Sequence, residues 1–224
     1  ILKNAAVEVF DLSDFGTPQK RKRCIAGNFD LELLVNYKQV SKTVTLGEVV
    51  TSLSKKRIVD PIYKVQKASQ NISGLSNEEP LSSEELRMNR EAKEYHPIYN
   101  NMQFPDPFSS PARTITATCT RVSRESVVIE DINEPNVYRR LNVRERSSLQ
   151  GFPITYQFFG SSYSAQLKMI GNAIPPTFTY LIAKVFLATP VEETVPLKKV
   201  KPKISAESNL AFDYEPDTKG KAFR

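Results

Sequence analysis

Two consecutive prolines, Pro175 and Pro176, stand directly before the chain's clearest apolar periodicity. Proline is tolerated in the first turn of a helix, where its missing N–H costs little, but not deeper. Phe178, Leu181, Ile182, Val185 and Phe186 then recur at helical spacing, which predicts a packed helix over about 177–188. A stripe this apolar needs a core to lie against. Hydrophobic residues make up 40% of the 224 and charged residues 25%, enough to build one.

Other elements follow from local chemistry. Residues 5–10, Ala-Ala-Val-Glu-Val-Phe, read as a buried strand, and 24–29 as a second short strand. Gly16 and Pro18 break the loop between them, so the pair reads as a hairpin at a sheet edge. Thr45 to Glu48 has the form of a capping box and opens a short helix at about 46–53. Ser82 to Glu85 is another helix start, and Asn142 to Glu145 a third, for a helix of about 143–150 that stops at Gly151 and Pro153. Residues 162–169 read as a further helix and 66–80 as a loop. Pro97, Pro105, Pro107 and Pro111 keep 95–113 extended and irregular. Strands are expected at about 114–119 and 126–130, joined by the basic turn from Arg121 to Arg124.

The two cysteines, Cys24 and Cys119, lie far apart, and neither pairs with the single His96 at a metal-ligand spacing, so no metal site is expected. Both read as free thiols, with Cys24 buried as a small apolar residue in a strand. There is no apolar run near the length of a membrane span and no export signal. A net charge of +6 is compatible with a polyanionic partner. The lysines 198, 199, 201 and 203 read as a solvated charge run within a tail.

Three segments carry more specific information. The first runs from Phe15 through Gly-Thr-Pro to Gln19, Lys20, Arg21, Lys22 and Arg23. Alternation along an extended segment puts Gln19, Arg21 and Arg23 on one face. The second is Arg140 to Pro153, with Glu145, Leu149, Gln150, Gly151 and Phe152; Leu149 and Phe152 read as core. The third is Gly171-Asn-Ala-Ile-Pro-Pro176, preceded by Ile170. In this order, with a long variable stretch between the first and second, they resemble the last three conserved blocks of the DNA cytosine-C5 methyltransferases. Pro111 to Thr116 is similar to the Thr-containing signature of that family's target-recognition region. The resemblance covers about residues 5–188. Asn142, Ser148 and Met169 stand where the family commonly has Thr, Arg and Gln.

The resemblance implies an α/β fold: end pieces of an S-adenosylmethionine-dependent methyltransferase sheet domain flank a small irregular β-rich DNA-recognition domain. The implied division is 1–28 for the end of the catalytic domain, 29–165 for target recognition and 166–189 for the return segment; outside the resemblance, the shift to Lys, Glu, Pro and Ser with few large apolar residues reads 190–224 as a mobile tail. Arg23 would lie against the target cytosine, with Arg21 and Gln19 in support. Asn172, flanked by Gly171 and Ala173, would contact S-adenosylmethionine. Thr114 or Thr116 would meet the backbone of the target nucleotide. Arg113, Arg121 and Arg124 are candidates for DNA contacts, since Arg serves both guanine edges and phosphates.

The same resemblance defines what this chain lacks. The family's thiolate comes from a Pro-Cys motif and its acid from a Glu-Asn motif, both in an N-terminal catalytic part, and neither motif occurs here in that context. The chain therefore reads as a C-terminal portion, acting on double-stranded DNA only with such a part. Ile1 in place of an initiating Met fits a fragment or subunit. A bacterial cytoplasmic setting, with the nucleoid, is the corresponding expectation. The alternative is a non-catalytic DNA-binding module or decayed methyltransferase, which leaves the intact Gly171–Pro176 block unexplained.

Overall fold

The computed structural model describes residues 5–95, 97–98, 100–160 and 162–200. His96 and the lysines 201 and 203 lie outside the described residues. In chain order the elements are β1 (Ala6–Asp11), β2 (Lys22–Gly27), α1 (Leu31–Asn36), α2 (Leu46–Leu53), β3 (Arg57–Val59), β4 (Gln66–Ala68), α3 (Ser83–Glu94), β5 (Val128–Glu130), β6 (Tyr138–Arg140), α4 (Val143–Leu149), α5 (Tyr163–Asn172) and α6 (Pro176–Phe186). The strands form three antiparallel pairs, β1–β2, β3–β4 and β5–β6.

The capping chemistry acts as expected. Thr45, Ser82 and Asn142 each close a full capping box with the glutamate three residues on, at the starts of α2, α3 and α4. Each such cap is worth about 1 kcal/mol. Pro176 is the first residue of α6.

α6 finds its core at the other end of the chain. Phe10 of β1, Leu12 and Phe15 of the turn after it, and Leu34 and Tyr37 around α1 pack with Phe178, Leu181 and Val185. The rings of Phe10, Phe15 and Phe178 meet at centroid distances of 5.5, 5.2 and 6.2 Å. Burying each such side chain stabilises by roughly 1.5–3 kcal/mol. A second cluster holds the middle together: Leu46, Val49, Val50 and Leu53 of α2 pack with Ile115, Ile129, Leu149, Ile154 and Ile170. Leu149 is core, as expected, and Phe152 is half-buried against the rings of Tyr156 and Phe158.

Several expectations are corrected. β1 is not buried throughout: Phe10 points inward, while Val7 and Val9 are 62% and 57% exposed. Cys24 is exposed as well, because it pairs with Val9 on the same outer face. Apolar character says what a strand can bury, not which neighbour is there to bury it. Residues 114–119 form no strand. The amide of Ile115 donates to the Gln19 side chain at 2.8 Å, and a single parallel bridge joins Gln19 to Ala112. With that ladder position taken by a side chain, high β propensity has no partner strand to act on. The second strand, β5, pairs instead with β6 downstream. The 66–80 loop contains β4, paired to β3. α1 carried no anticipated signal.

Of the expected tail, residues 190–200 are described and pack against the fold, and 201–224 lie outside the described residues. Thr194 is buried, the Tyr180 hydroxyl donates to the Val195 carbonyl at 2.9 Å, and Leu197 and Val200 lie against the central cluster. Lys198 and Lys199 are exposed.

Every residue of α4 is buried, including Arg144, Glu145 and Arg146. Arg144 reaches the carbonyls of Ser73 and Tyr156 at 3.0 and 2.8 Å, and burial lowers its pKa to about 10. Arg139 pairs with Asp131 and, through two bonds of 2.9 and 2.8 Å, with Glu145. Burial works against its charge, but the two carboxylates outweigh that and hold its pKa above the ordinary arginine value. Arg139 and Glu145 are tolerated this deep because their charges are matched, and Arg144 and Arg146 because their guanidiniums are hydrogen-bonded.

Candidate functional site

The three sequence blocks meet at one joint. Gln19 is fully buried. Its amide nitrogen donates to the Leu149 carbonyl at 3.1 Å and to the side-chain oxygen of Gln150. The Gln150 amide donates in turn to the Ala173 carbonyl. Nearby, the hydroxyls of Thr17 and Thr177 share a buried hydrogen bond of 2.6 Å. Gly151 stands at φ +91°, and a Cβ there would meet the Thr177 side chain at 3.1 Å. A helix end with positive φ in so tight a contact favours glycine.

Above the joint lies an open cleft of about 370 Å³, lined by Arg21, Arg23, Thr114–Ala117 and Gly171–Ile174. Arg21 forms its floor. Its guanidinium donates to the Ile115 carbonyl at 3.0 Å and to the Gly171 carbonyl at 2.9 Å. Burial, and secondarily the charge of Arg23, lower its pKa to about 10, so it stays cationic at neutral pH. Arg23 sits at the mouth and is exposed; among the described residues its guanidinium donates only to the Lys22 carbonyl, at 2.7 Å. Lys20 and Lys22 are exposed on the same segment.

The opposite wall is held by a close backbone approach. A Cβ on Gly171 would come within 2.2 Å of the Ala117 nitrogen and 2.4 Å of its Cα. Only glycine lets α5 lie this close to the 116–117 segment. Gly171 is thus a packing residue, and Ala173 contributes its carbonyl to Gln150. Asn172 is exposed in the cleft, and its side-chain amide makes no hydrogen bond among the described residues. The polar groups facing the cleft are therefore the Arg23 guanidinium, the Asn172 amide and the two threonine hydroxyls. Those hydroxyls are already engaged as donors, Thr114 to the Lys20 carbonyl at 2.7 Å and Thr116 to the Thr118 carbonyl at 2.9 Å. Their lone pairs remain for an incoming donor.

Seven of the sequence candidates thus line one cleft: Arg21, Arg23, Thr114, Thr116, Gly171, Asn172 and Ala173. Gln19 lies beneath it. Arg113, Arg121 and Arg124 do not join it. Arg113 forks onto Asp106 and reaches the Arg124 and Ser126 carbonyls at 2.8 and 2.9 Å. Arg121 pairs with Glu85 and donates to the Pro80 carbonyl. Arg124 donates to the carbonyls of Ala92 and Asn100. All three are committed to holding the 80–126 region together, which single-residue charge reasoning does not register. Gln150 was missed as a site residue; its place between two recognisable blocks was the available signal.

The model of the C-5 cytosine-specific DNA methylase family matches residues 4–188. Among characterised relatives, the type II methyltransferase M.FnuDI of Fusobacterium nucleatum is 25% identical over 194 residues, covering 81% of this chain and 54% of the relative. M.MthTI of Methanothermobacter thermautotrophicus is 26% identical over 188 residues, covering 81% and 55%. The chain therefore spans about half the length of these relatives. Its fold resembles that of the Dnmt2 methyltransferase of S. pombe, with a TM-score of 0.52 and 13% identity, over 83% of this chain and 57% of the other.

Proposed function

The chain belongs to the C-5 cytosine-specific DNA methylase family, and on that premise we propose that it is the DNA-recognition portion of a cytosine-C5 methyltransferase. It contributes one wall of the catalytic site and acts only when joined to, or complemented by, a part carrying the Pro-Cys and Glu-Asn motifs. The observation that supports this reading most is the single cleft shared by the Arg21–Arg23 block, the Thr114–Thr116 segment and the Gly171–Ile174 block.

Each wall has a distinct task. A base inside a duplex is out of reach, so the target cytosine must be swung out of its stack into a pocket. Arg23, exposed at the cleft mouth, supplies a planar cation able to donate to the flipped base or to its phosphate. Arg21 does not touch the substrate. Its fork onto two carbonyls fixes the strand from which Arg23 projects and the two walls on either side. Thr114 and Thr116 offer acceptor lone pairs on the wall beside the nucleotide.

The cofactor implied by the family is S-adenosylmethionine, which supplies the transferable methyl group. The residues present fit part of its site: Asn172 presents an amide with unused donors and acceptor next to the backbone of Gly171 and Ala173. The remainder of such a site belongs to the catalytic part. Exposed Lys20 and Lys22 beside the cleft suit a phosphate backbone. No described helix is long and apolar enough to cross a membrane. Taken with the type II relatives, a restriction–modification setting in a bacterial cytoplasm completes the reading.

The test is transfer of labelled methyl from S-adenosylmethionine to duplex DNA, by this chain alone and by this chain with a catalytic part from the same locus. Transfer only in the mixture is expected. Transfer by the chain alone would overturn the proposal.

A further inference from the structure

After α6 the chain crosses from one hydrophobic cluster to the other. The Tyr37 hydroxyl donates to the Thr189 carbonyl at 2.6 Å, and Val191 packs on the cluster of Phe10, Phe15 and Phe178. Thr194 is buried, and the Val195 carbonyl accepts from the Tyr180 hydroxyl at 2.9 Å. Leu197 and Val200 then pack on the central cluster. Pro190 and Pro196, both at φ −57°, precede the two short 3-10 turns of this segment, Val191–Glu193 and Leu197–Lys199. A fixed φ leaves such a crossing little freedom to slacken. The segment lies beyond residues 4–188, the extent of the family match.

Leu197 has a particular seat. Its Cδ1 lies 3.3 Å from where a Cβ on Gly16 would stand, and the Lys42 carbonyl is 3.6 Å from the same point. Gly16, at φ +82°, caps the Leu12–Phe15 turn and leads through Thr17 and Pro18 to Gln19, whose side chain accepts from the Ile115 amide at 2.8 Å. Arg21 and Arg23 follow on the same run. Ile25, on the strand that carries Arg23, packs on the terminal cluster. Ile115 and Ile170, in or next to the other two walls of the cleft, belong to the central cluster. The cleft therefore opens between the two clusters that residues 190–200 span. We propose that this segment is a strap that sets the spacing of the cleft walls, with Leu197 as its positioning residue. Seated on the Gly16 turn, Leu197 holds the Arg21–Arg23 wall against the Thr114–Ala117 wall. The consequence for methyl transfer rests on the function proposed above; the holding contact does not.

The Ile115 amide reports on the spacing, because its partner Gln19 lies across the joint. Its hydrogen exchange is measured by NMR in the full chain, beside that of the Asp106 amide, which donates to the Val128 carbonyl at 2.8 Å within the recognition part. Leu197→Asn replaces the apolar seat with a polar group of similar size, and Leu197→Met keeps it apolar. Exchange at Ile115 should quicken about tenfold in Leu197→Asn, stay unchanged at Asp106, and return to the parent rate in Leu197→Met. Unchanged exchange at Ile115 would overturn the strap. Equal quickening at both amides would reduce Leu197 to a source of general stability and also overturn it. In the methylating mixture, Leu197→Asn should lower the single-turnover transfer rate at saturating DNA and S-adenosylmethionine by roughly tenfold, with rescue by Leu197→Met. A parent-like rate in Leu197→Asn would overturn the strap's place in the reaction. A parent mixture that transfers no methyl removes the proposed function and leaves the exchange rates to decide the strap.

Discussion

The Arg21 guanidinium donates to the Gly171 carbonyl across a separation of 150 residues, at 2.9 Å. With its other terminal nitrogen on Ile115, Arg21 fastens the first and third sequence blocks to the recognition segment between them. Arg21, expected in support, is thus a staple, and Arg23, which the resemblance sets against the target base, is the exposed one.

That division gives opposite expectations for two arginines two residues apart. Arg21→Lys keeps the charge but cannot fork onto both carbonyls, and should lower stability by roughly 2–3 kcal/mol. Arg23→Ala should change stability by no more than about 0.5 kcal/mol. Urea denaturation of both variants checks this; equal losses would contradict the assignment.

Gly171→Ala should be among the most damaging single methyl additions in the chain. Its Cβ would fall 2.2 Å from a backbone nitrogen, where no flexible side chain can move aside. The helix or the 116–117 segment must shift, which costs roughly 1–3 kcal/mol or more. Thermal unfolding measures the loss, and a melting temperature within a degree or so of the parent would show that the two segments are not packed this way.

Lys93 gives a pH dependence. It is fully buried, donates to the Asn89 side chain at 2.7 Å and lies over the Phe104 ring. Around it stand Arg113, Asp106, Glu125 and Cys119, but burial dominates, followed by repulsion from Arg113, and the pKa falls to about 8 from 10.5. The native state releases this proton near pH 8, whereas the unfolded chain holds it until about pH 10.5. Stability tied to Lys93 therefore rises as pH climbs through that window. Relative to Lys93→Met, the parent should gain up to about 3 kcal/mol between pH 7 and pH 10. A stability difference that does not vary with pH would contradict the lowered pKa.

The sequence was most legible where the chemistry is local. The caps at Thr45, Ser82 and Asn142 and the proline start of α6 depend on residues a turn apart, and all formed. It was less legible where a distant group intervenes. Residues 114–119 lost their strand because the Gln19 side chain took the Ile115 amide. Arg113, Arg121 and Arg124 carry charge suited to DNA, yet acidic side chains and carbonyls elsewhere in the fold engage them. Within the site, the blocks could be recognised one at a time. That they converge through Gln19 and Gln150, and that Gly171 serves backbone contact, became visible only with the segments side by side.

The central claim is that the cleft is a wall of a methyltransferase site, with the base on the Arg23 side and the methyl donor on the Asn172 side. The most direct test is single-turnover methyl transfer to duplex DNA by the complemented enzyme carrying Arg23→Ala or Asn172→Ala. The account predicts that Arg23→Ala lowers the transfer rate at saturating S-adenosylmethionine, while Asn172→Ala mainly raises the S-adenosylmethionine concentration needed for half-maximal rate. Parent-like rates and half-saturation in both variants would contradict it.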